Sequence, residues 1–130
     1  DRKLYVVDRG HRRIQVFDED GKFLELFNTG RYSQPYAHLI TTDQMLWESD
    51  GGTNRIVKYD LQGHYLYGWG MGGGQPGQFQ GPHSITTDQD GNLYLAEVFN
   101  GRVQKFIPKK GADPAKLVGQ ELRYKASTSN

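Results

Sequence analysis

An all-β fold assembled from a repeated antiparallel unit is what this 130-residue sequence predicts, and three observations carry the prediction. Three segments align without a gap: "LYVVDRGHRRIQVF" at 4–17, "LWESDGGTNRIVKY" at 46–59 and "LYLAEVFNGRVQKF" at 93–106. A shorter phrase recurs ahead of two of them, "YAHLITTDQ" at 36–44 and "GPHSITTDQ" at 81–89. Apolar residues fall in short runs rich in Val, Ile, Tyr and Leu, broken by Gly, Asn and Asp, and nothing reads as a long helix. The acids Asp8, Asp50 and Glu97 and the arginines Arg13, Arg55 and Arg102 recur at spacings of 42 and then 47, the extra length being ascribed to "DG" at 90–91. Four antiparallel strands at a period near 45 are the signature of a β-propeller blade.

Taken in order, the first unit offers strands near 3–8, 13–17 and 22–27, the last pair joined by "DEDGKF", whose glycine suits a tight hairpin turn. The second is complete, with strands near 36–42, 45–49, 55–59 and 64–69. The third has strands near 83–88, 92–96 and 102–107, and the tail adds a candidate strand at 117–124 before a small polar end that is expected to fray. Residues 1–130 are thus one partial β-propeller domain: a blade part at 1–28, a blade at 36–69 and a blade at 82–124 that includes the C-terminal tail. Between blades lie "NTGRYSQP" at 28–35 and "GMGGGQPGQFQGP" at 70–82. The glycines at 72–74 are loop and no phosphate cradle, because no Lys-Ser/Thr follows and no helix opens there. Under three blades is an arc of a propeller, since closed rings have four to eight, and the expected partner of its open faces is the remainder of the propeller upstream of residue 1. The isolated arc is expected to self-associate.

Composition narrows the functional classes. Sixteen basic against 15 acidic residues give a formal net charge of +1, which leaves no excess for displacing phosphate counterions, so no nucleic-acid partner is expected. The sequence contains no cysteine, which excludes disulfides and thiolate metal sites and is compatible with cytosol or periplasm. No apolar run is long enough to cross a membrane as a helix.

The repeat resembles the NHL repeat, in which an acid ends one strand and an arginine opens the next, as in "VVDRGHRRIQVF" and "LAEVFNGRVQKF". Within NHL proteins it is similar to the peptidyl-α-hydroxyglycine α-amidating lyase family and its bacterial relatives. "VDRGHRRIQVF" at 7–17 resembles that family's Asp-Arg blade, and "GPHSI" at 81–85 its Pro-His zinc motif. The resemblance implies an arc of a six-bladed propeller, zinc in the axial channel, and C–N cleavage of a hydroxyglycine-terminated peptide with release of glyoxylate. It marks Arg9 as the catalytic residue facing the substrate carboxylate, which a guanidinium binds through two parallel hydrogen bonds. It marks His83 as a metal ligand, with two further histidines and a catalytic tyrosine placed upstream of Asp1. It also implies a periplasmic or secreted location. Gly81 departs from the pattern, standing where the lyases carry methionine.

His38 shares the "ITTDQ" context of His83 and reads as its equivalent on the neighbouring blade, but the lyases take zinc ligands from alternate blades, so His38 ranks behind His83. Asp8, Asp50 and Glu97 with Arg13, Arg55 and Arg102 read as ion pairs that staple each blade, because a unique catalytic group would not recur in every copy. His11 and His64 read as solvated. Tyr5, Trp47, Tyr94, Phe17, Tyr59 and Phe106 read as packing between blades. A non-catalytic NHL propeller that binds a protein, peptide or small carboxylate in its channel is the alternative function, since one fold hosts both uses.

Overall fold

The computed structural model describes residues 2–120. Its strands are β1 (Lys3–Asp8), β2 (Arg13–Asp18), β3 (Phe23–Asn28), β4 (Pro35–Ile40), β5 (Met45–Asp50), β6 (Arg55–Asp60), β7 (Tyr65–Trp69), β8 (Pro82–Thr87), β9 (Leu93–Glu97) and β10 (Arg102–Phe106). The described helical structure is two 3-10 turns, Arg9–His11 and Pro114–Lys116. Three antiparallel sheets result, in the orders β1-β2-β3, β4-β5-β6-β7 and β10-β9-β8. These are the predicted blades, with each strand within two residues of its expected bounds. The middle one is complete, the first consists of counterparts of β5–β7, and the third of counterparts of β4–β6.

Aspartate-headed turns set the hairpins. Asp18, Asp60 and Asp88 each accept backbone N–H groups two and four residues on, from Asp20 and Lys22, Gln62 and His64, and Asp90 and Asn92, at 2.8–3.0 Å. An acceptor folded back on its own turn demands a left-handed residue to reverse the chain, and Gly21, Gly63 and Gly91 supply it at φ of 82°, 86° and 80°.

The register corrects two sequence expectations. Pro35 lies opposite Asp50 and Pro82 opposite Glu97, so the structural offset between these blades is 47 throughout the inner strand. The repeated "ITTDQ" has an offset of 45 and is displaced by two residues, which preserves the alternation of faces but pairs the wrong partners. The equivalent of His83 is Tyr36; His38 corresponds to Ile85. The extra length is likewise not "DG" at 90–91, because Gln44 and Gly91 occupy the same left-handed corner of matching turns, at φ of 61° and 80°. It lies in the loop 70–81, which sends Phe79 into the core with no exposure.

Two apolar clusters glue the sheets together. Trp47, Ile56, Phe79, Leu93, Leu95 and Val118 fill the space between the second and third, and Ile14, Leu46, Val57 and Tyr59 that between the first and second. The strand expected at 117–124 does not form over 117–120, and residues 121–124 fall outside the described chain. Val118 is drawn into the cluster beside Leu93, and Lys58 Nζ donates to Ala115 O at 2.7 Å. Burying an apolar side chain between two sheets wins over adding a ladder on the exposed edge of β10.

The stapling ion pairs form in two blades of three. Arg13 Nε donates to Asp8 at 2.8 Å and Arg102 Nε to Glu97 at 2.7 Å. In the middle blade Asp50 Oδ1 instead accepts the N–H groups of Gln34, Gly52 and Thr53, and Arg55 donates to Gly68 O at 2.8 Å. The reason is local: "DGG" folds its own amides back onto the carboxylate, which leaves the arginine to the backbone.

Candidate functional site

The inner strands β4 and β8 lie side by side, with β1 against β4. Pairing steps from Pro35 to Ala37 in β4 and from Pro82 to Ser84 in β8, so Tyr36 and His83 each sit in a bulge. Each bulge follows a buried proline, which has no N–H to offer the ladder. A bulged residue leaves the ladder and its side chain is re-aimed, here along the inner ends of the blades. Ser49 Oγ, from the second blade, donates to the carbonyl of His83 at 3.1 Å and ties the two bulges together. Glycine rather than methionine at position 81 has a local reason: its φ is 64°, and a Cβ there would run into the Phe99 ring.

The imidazole of His83 stacks on the Tyr36 ring, with centroids 4.5 Å apart and planes inclined by 35°. Arg9, from the turn that follows β1, places its guanidinium carbon 5.0 Å from the centroid of the same ring. Three consecutive blades therefore contribute one residue each to a single array. Arg9 is exposed and makes no side-chain hydrogen bond or ion pair among the described residues.

The acids beside the array are already engaged. Asp8 accepts from His11, Arg13 and Gln15, and the hydrogen bonds of His11 and then Arg13 hold its carboxyl below the usual range. Burial pushes Glu97 upward, but donation from Arg102, Gln80 N–H, Asn100 and Gln104 outweighs it and leaves the group below its ordinary value. Asp50 serves the amides of Gln34, Gly52 and Thr53. The free guanidinium is thus open to an external anion, and its planar fork suits a carboxylate.

His38 takes no part in this array. It lies directly opposite Glu48 in the β4–β5 ladder, so both side chains leave the sheet on the side of Leu46 and the first blade. Burial holds the His38 imidazole below its usual pKa. His11 and His64 are outward and bonded to Asp8 and Asp60. No three His, Cys, Asp or Glu side chains come together as a metal site among the described residues. Alignment of the sequence on "ITTDQ" hides Tyr36; alignment on the proline and the acid places "PYA" at 35–37 over "PHS" at 82–84.

Residues 79–106, which span β8 to β10, match the NHL repeat model. NHL repeat-containing protein 3 of Homo sapiens is 31% identical over 101 residues, 75% of this chain and 29% of that protein. Peptidyl-glycine alpha-amidating monooxygenase B of Xenopus laevis is 37% identical over 80 residues, 57% of this chain and 9% of that protein. A streptogramin B lyase structure superposes with a TM-score of 0.60 at 17% identity, covering 84% of this chain and 38% of that one, a likeness of fold. The chain thus spans well under half the length of each of these proteins. With one repeat matched directly and two more built on the same register, this is a chain of NHL-repeat β-propeller blades.

Proposed function

We propose that this chain supplies part of the axial ligand site of an NHL propeller of the peptidylglycine-amidating kind, with Arg9 receiving the carboxylate of a hydroxyglycine-terminated peptide. One observation carries the reading: Arg9 and His83, drawn from motifs far apart in the chain, both contact the ring of Tyr36. Arg9 anchors the carboxylate by two parallel hydrogen bonds, which orients the adjoining hydroxyl-bearing carbon toward His83. The His83 ring, held by its face, keeps its nitrogen-bearing edge available.

Zinc belongs to this reading through the resemblance alone. A catalytic zinc needs about three protein donors, and the described residues bring His83 to the site with no second donor, so they do not by themselves fit the ion. The same observation favours a second reading, a non-catalytic propeller that binds a peptide or small carboxylate in the channel. The two part on one experiment with the full chain: metal content and turnover of a hydroxyglycine-terminated peptide, measured for the unmodified protein, His83→Ala, His38→Ala and Arg9→Lys. The lyase reading expects His83→Ala to lose metal and turnover together, His38→Ala to lose neither, and Arg9→Lys to keep metal while binding the carboxylate more weakly. An unmodified protein that binds no zinc and releases no glyoxylate leaves the binding module.

A further inference from the structure

Among the described residues, the Arg9 guanidinium and the His83 imidazole share one aromatic contact, the ring of Tyr36, and neither makes a side-chain hydrogen bond. We propose that Tyr36 is the positioning residue of this site, a fixed platform that sets the Arg9 guanidinium and the His83 imidazole in one arrangement for a carboxylate-bearing ligand. The ligand in this inference rests on the carboxylate reading above; the platform rests on geometry alone.

Three observations carry it. Tyr36 occupies on the second blade the same bulge that His83 occupies on the third, so the fold delivers both residues to the site by one device. Gly51 packs against the Cδ2–Cε2 side of the ring, and a Cβ there would overlap it, so main chain limits where the ring can sit. The Tyr36 hydroxyl makes no hydrogen bond among the described residues, so the phenol is held and used through its face. Among the described residues Arg9 has no other anchor, and an unanchored arginine loses rotamer freedom each time it binds a ligand. A guanidinium already laid on an aromatic face has lost part of that freedom in advance, while its N–H groups remain directed outward.

The test uses the full chain, with N-acetylglycine as the carboxylate probe and its amide as the neutral control. Tyr36→Phe keeps the face and should bind N-acetylglycine within about twofold of the unmodified protein, because the hydroxyl has no partner to lose. Tyr36→Leu removes the face, and Gly51→Ala displaces it without altering the tyrosine; each should weaken binding roughly tenfold, the scale of one cation–π contact. The amide should bind weakly to all four. A ligand-free readout separates the platform from the ligand: the ring protons of His83 should resonate upfield in the unmodified protein and in Tyr36→Phe, and relax in the other two. A Tyr36→Leu protein that melts normally and keeps both its affinity and the His83 shift overturns the proposal. A tenfold loss with an unchanged His83 shift also overturns it, since the ring would then act elsewhere. If the unmodified protein ignores N-acetylglycine while the His83 shift follows the ring, the platform stands and the carboxylate reading falls.

Discussion

Between the second and third blades, Trp47, Ile56, Phe79, Leu93, Leu95 and Val118 close an apolar seam, and Trp69, Phe79 and Phe106 meet edge to face at 5.3–5.8 Å. Between the first and second, a smaller set of Ile14, Leu46, Val57 and Tyr59 shares its face with Glu48, which is wholly buried and whose carboxyl oxygens find no hydrogen-bond partner among the described residues. Glu48 stands at the position of Leu95 in the third blade and Val6 in the first. One repeat thus builds two kinds of seam. The first is fixed by area and aromatic geometry, the second holds a group whose charge is tolerated only when neutralised by a proton. Such an acid costs stability that a leucine would not, so the difference between the seams is measurable by substitution and by pH.

The largest effect is expected from emptying the apolar seam. Phe79→Ala leaves a void among Trp69, Phe106 and Gly70, and core phenylalanine truncations cost about 3–5 kcal/mol. Denaturant unfolding should show a sharply lowered midpoint, and a loss below about 1 kcal/mol would mean the loop 70–81 is not part of the seam.

The second effect is on the other seam and depends on pH. Burial first, and the negative charge of Asp50 second, push the Glu48 carboxyl up from 4.5 to about 8. The unfolded chain releases this proton near 4.5 while the folded chain keeps it, so stability is full below that value and falls as pH rises through about 8. The loss is on the order of 3–5 kcal/mol, because each tenfold difference in proton affinity between the folded and unfolded chains is worth about 1.4 kcal/mol. Glu48→Leu, which copies Leu95, should remove this slope and raise stability at neutral pH by roughly 1–3 kcal/mol. Equal slopes for the two proteins between pH 5 and about 8 would take the titration away from Glu48; His38 across the ladder, whose pKa burial lowers, contributes a slope of the opposite sign.

The contrast also explains what was legible in the sequence. Strands, turns and blade order followed from period-2 alternation and from Asp and Gly at turn corners, which are local properties. Arg9 and His83 were legible through motif likeness. The inner-strand register was not, because "ITTDQ" repeats more faithfully than the structure it sits in: a two-residue slip keeps every side chain on its face and leaves no trace in the hydrophobic pattern. Tyr36 was hidden by that slip. Phe79 was hidden by its surroundings, since glycine-rich loop composition signals a turn and says nothing of one aromatic turning inward. Nothing in the strand pattern singles out Glu48, because its burial is a property of the neighbouring blade.

The smallest effects separate the blade staples themselves. Arg102 donates to Glu97 and to the carbonyls of Gly74, Gln75 and Gln78, so it closes the loop that carries Phe79 as well as its own hairpin. Glu97 is buried, and removing its cation leaves a carboxylate short of a charge-assisted donor and the Gly74 carbonyl without a partner, while Gln75 O and Gln78 O keep the N–H groups of Gln78 and Gln104. Arg102→Ala should therefore cost about 2 kcal/mol, less than Phe79→Ala because that carbonyl can turn to water. Arg13 makes the equivalent contact to Asp8 and reaches no loop carbonyl, and both side chains are partly solvated, at 30% and 20% exposure. Its contact is screened and replaceable, since His11 and Gln15 also donate to Asp8, and Arg13→Ala should melt nearly with the unmodified protein. Parallel melts of the two variants decide whether the acid and arginine of this repeat are a general staple or gain their weight from the loop they hold. Equal losses would favour the pair itself, and a large Arg102 effect beside a negligible Arg13 effect places the weight on the 70–81 loop and so on the apolar seam it completes.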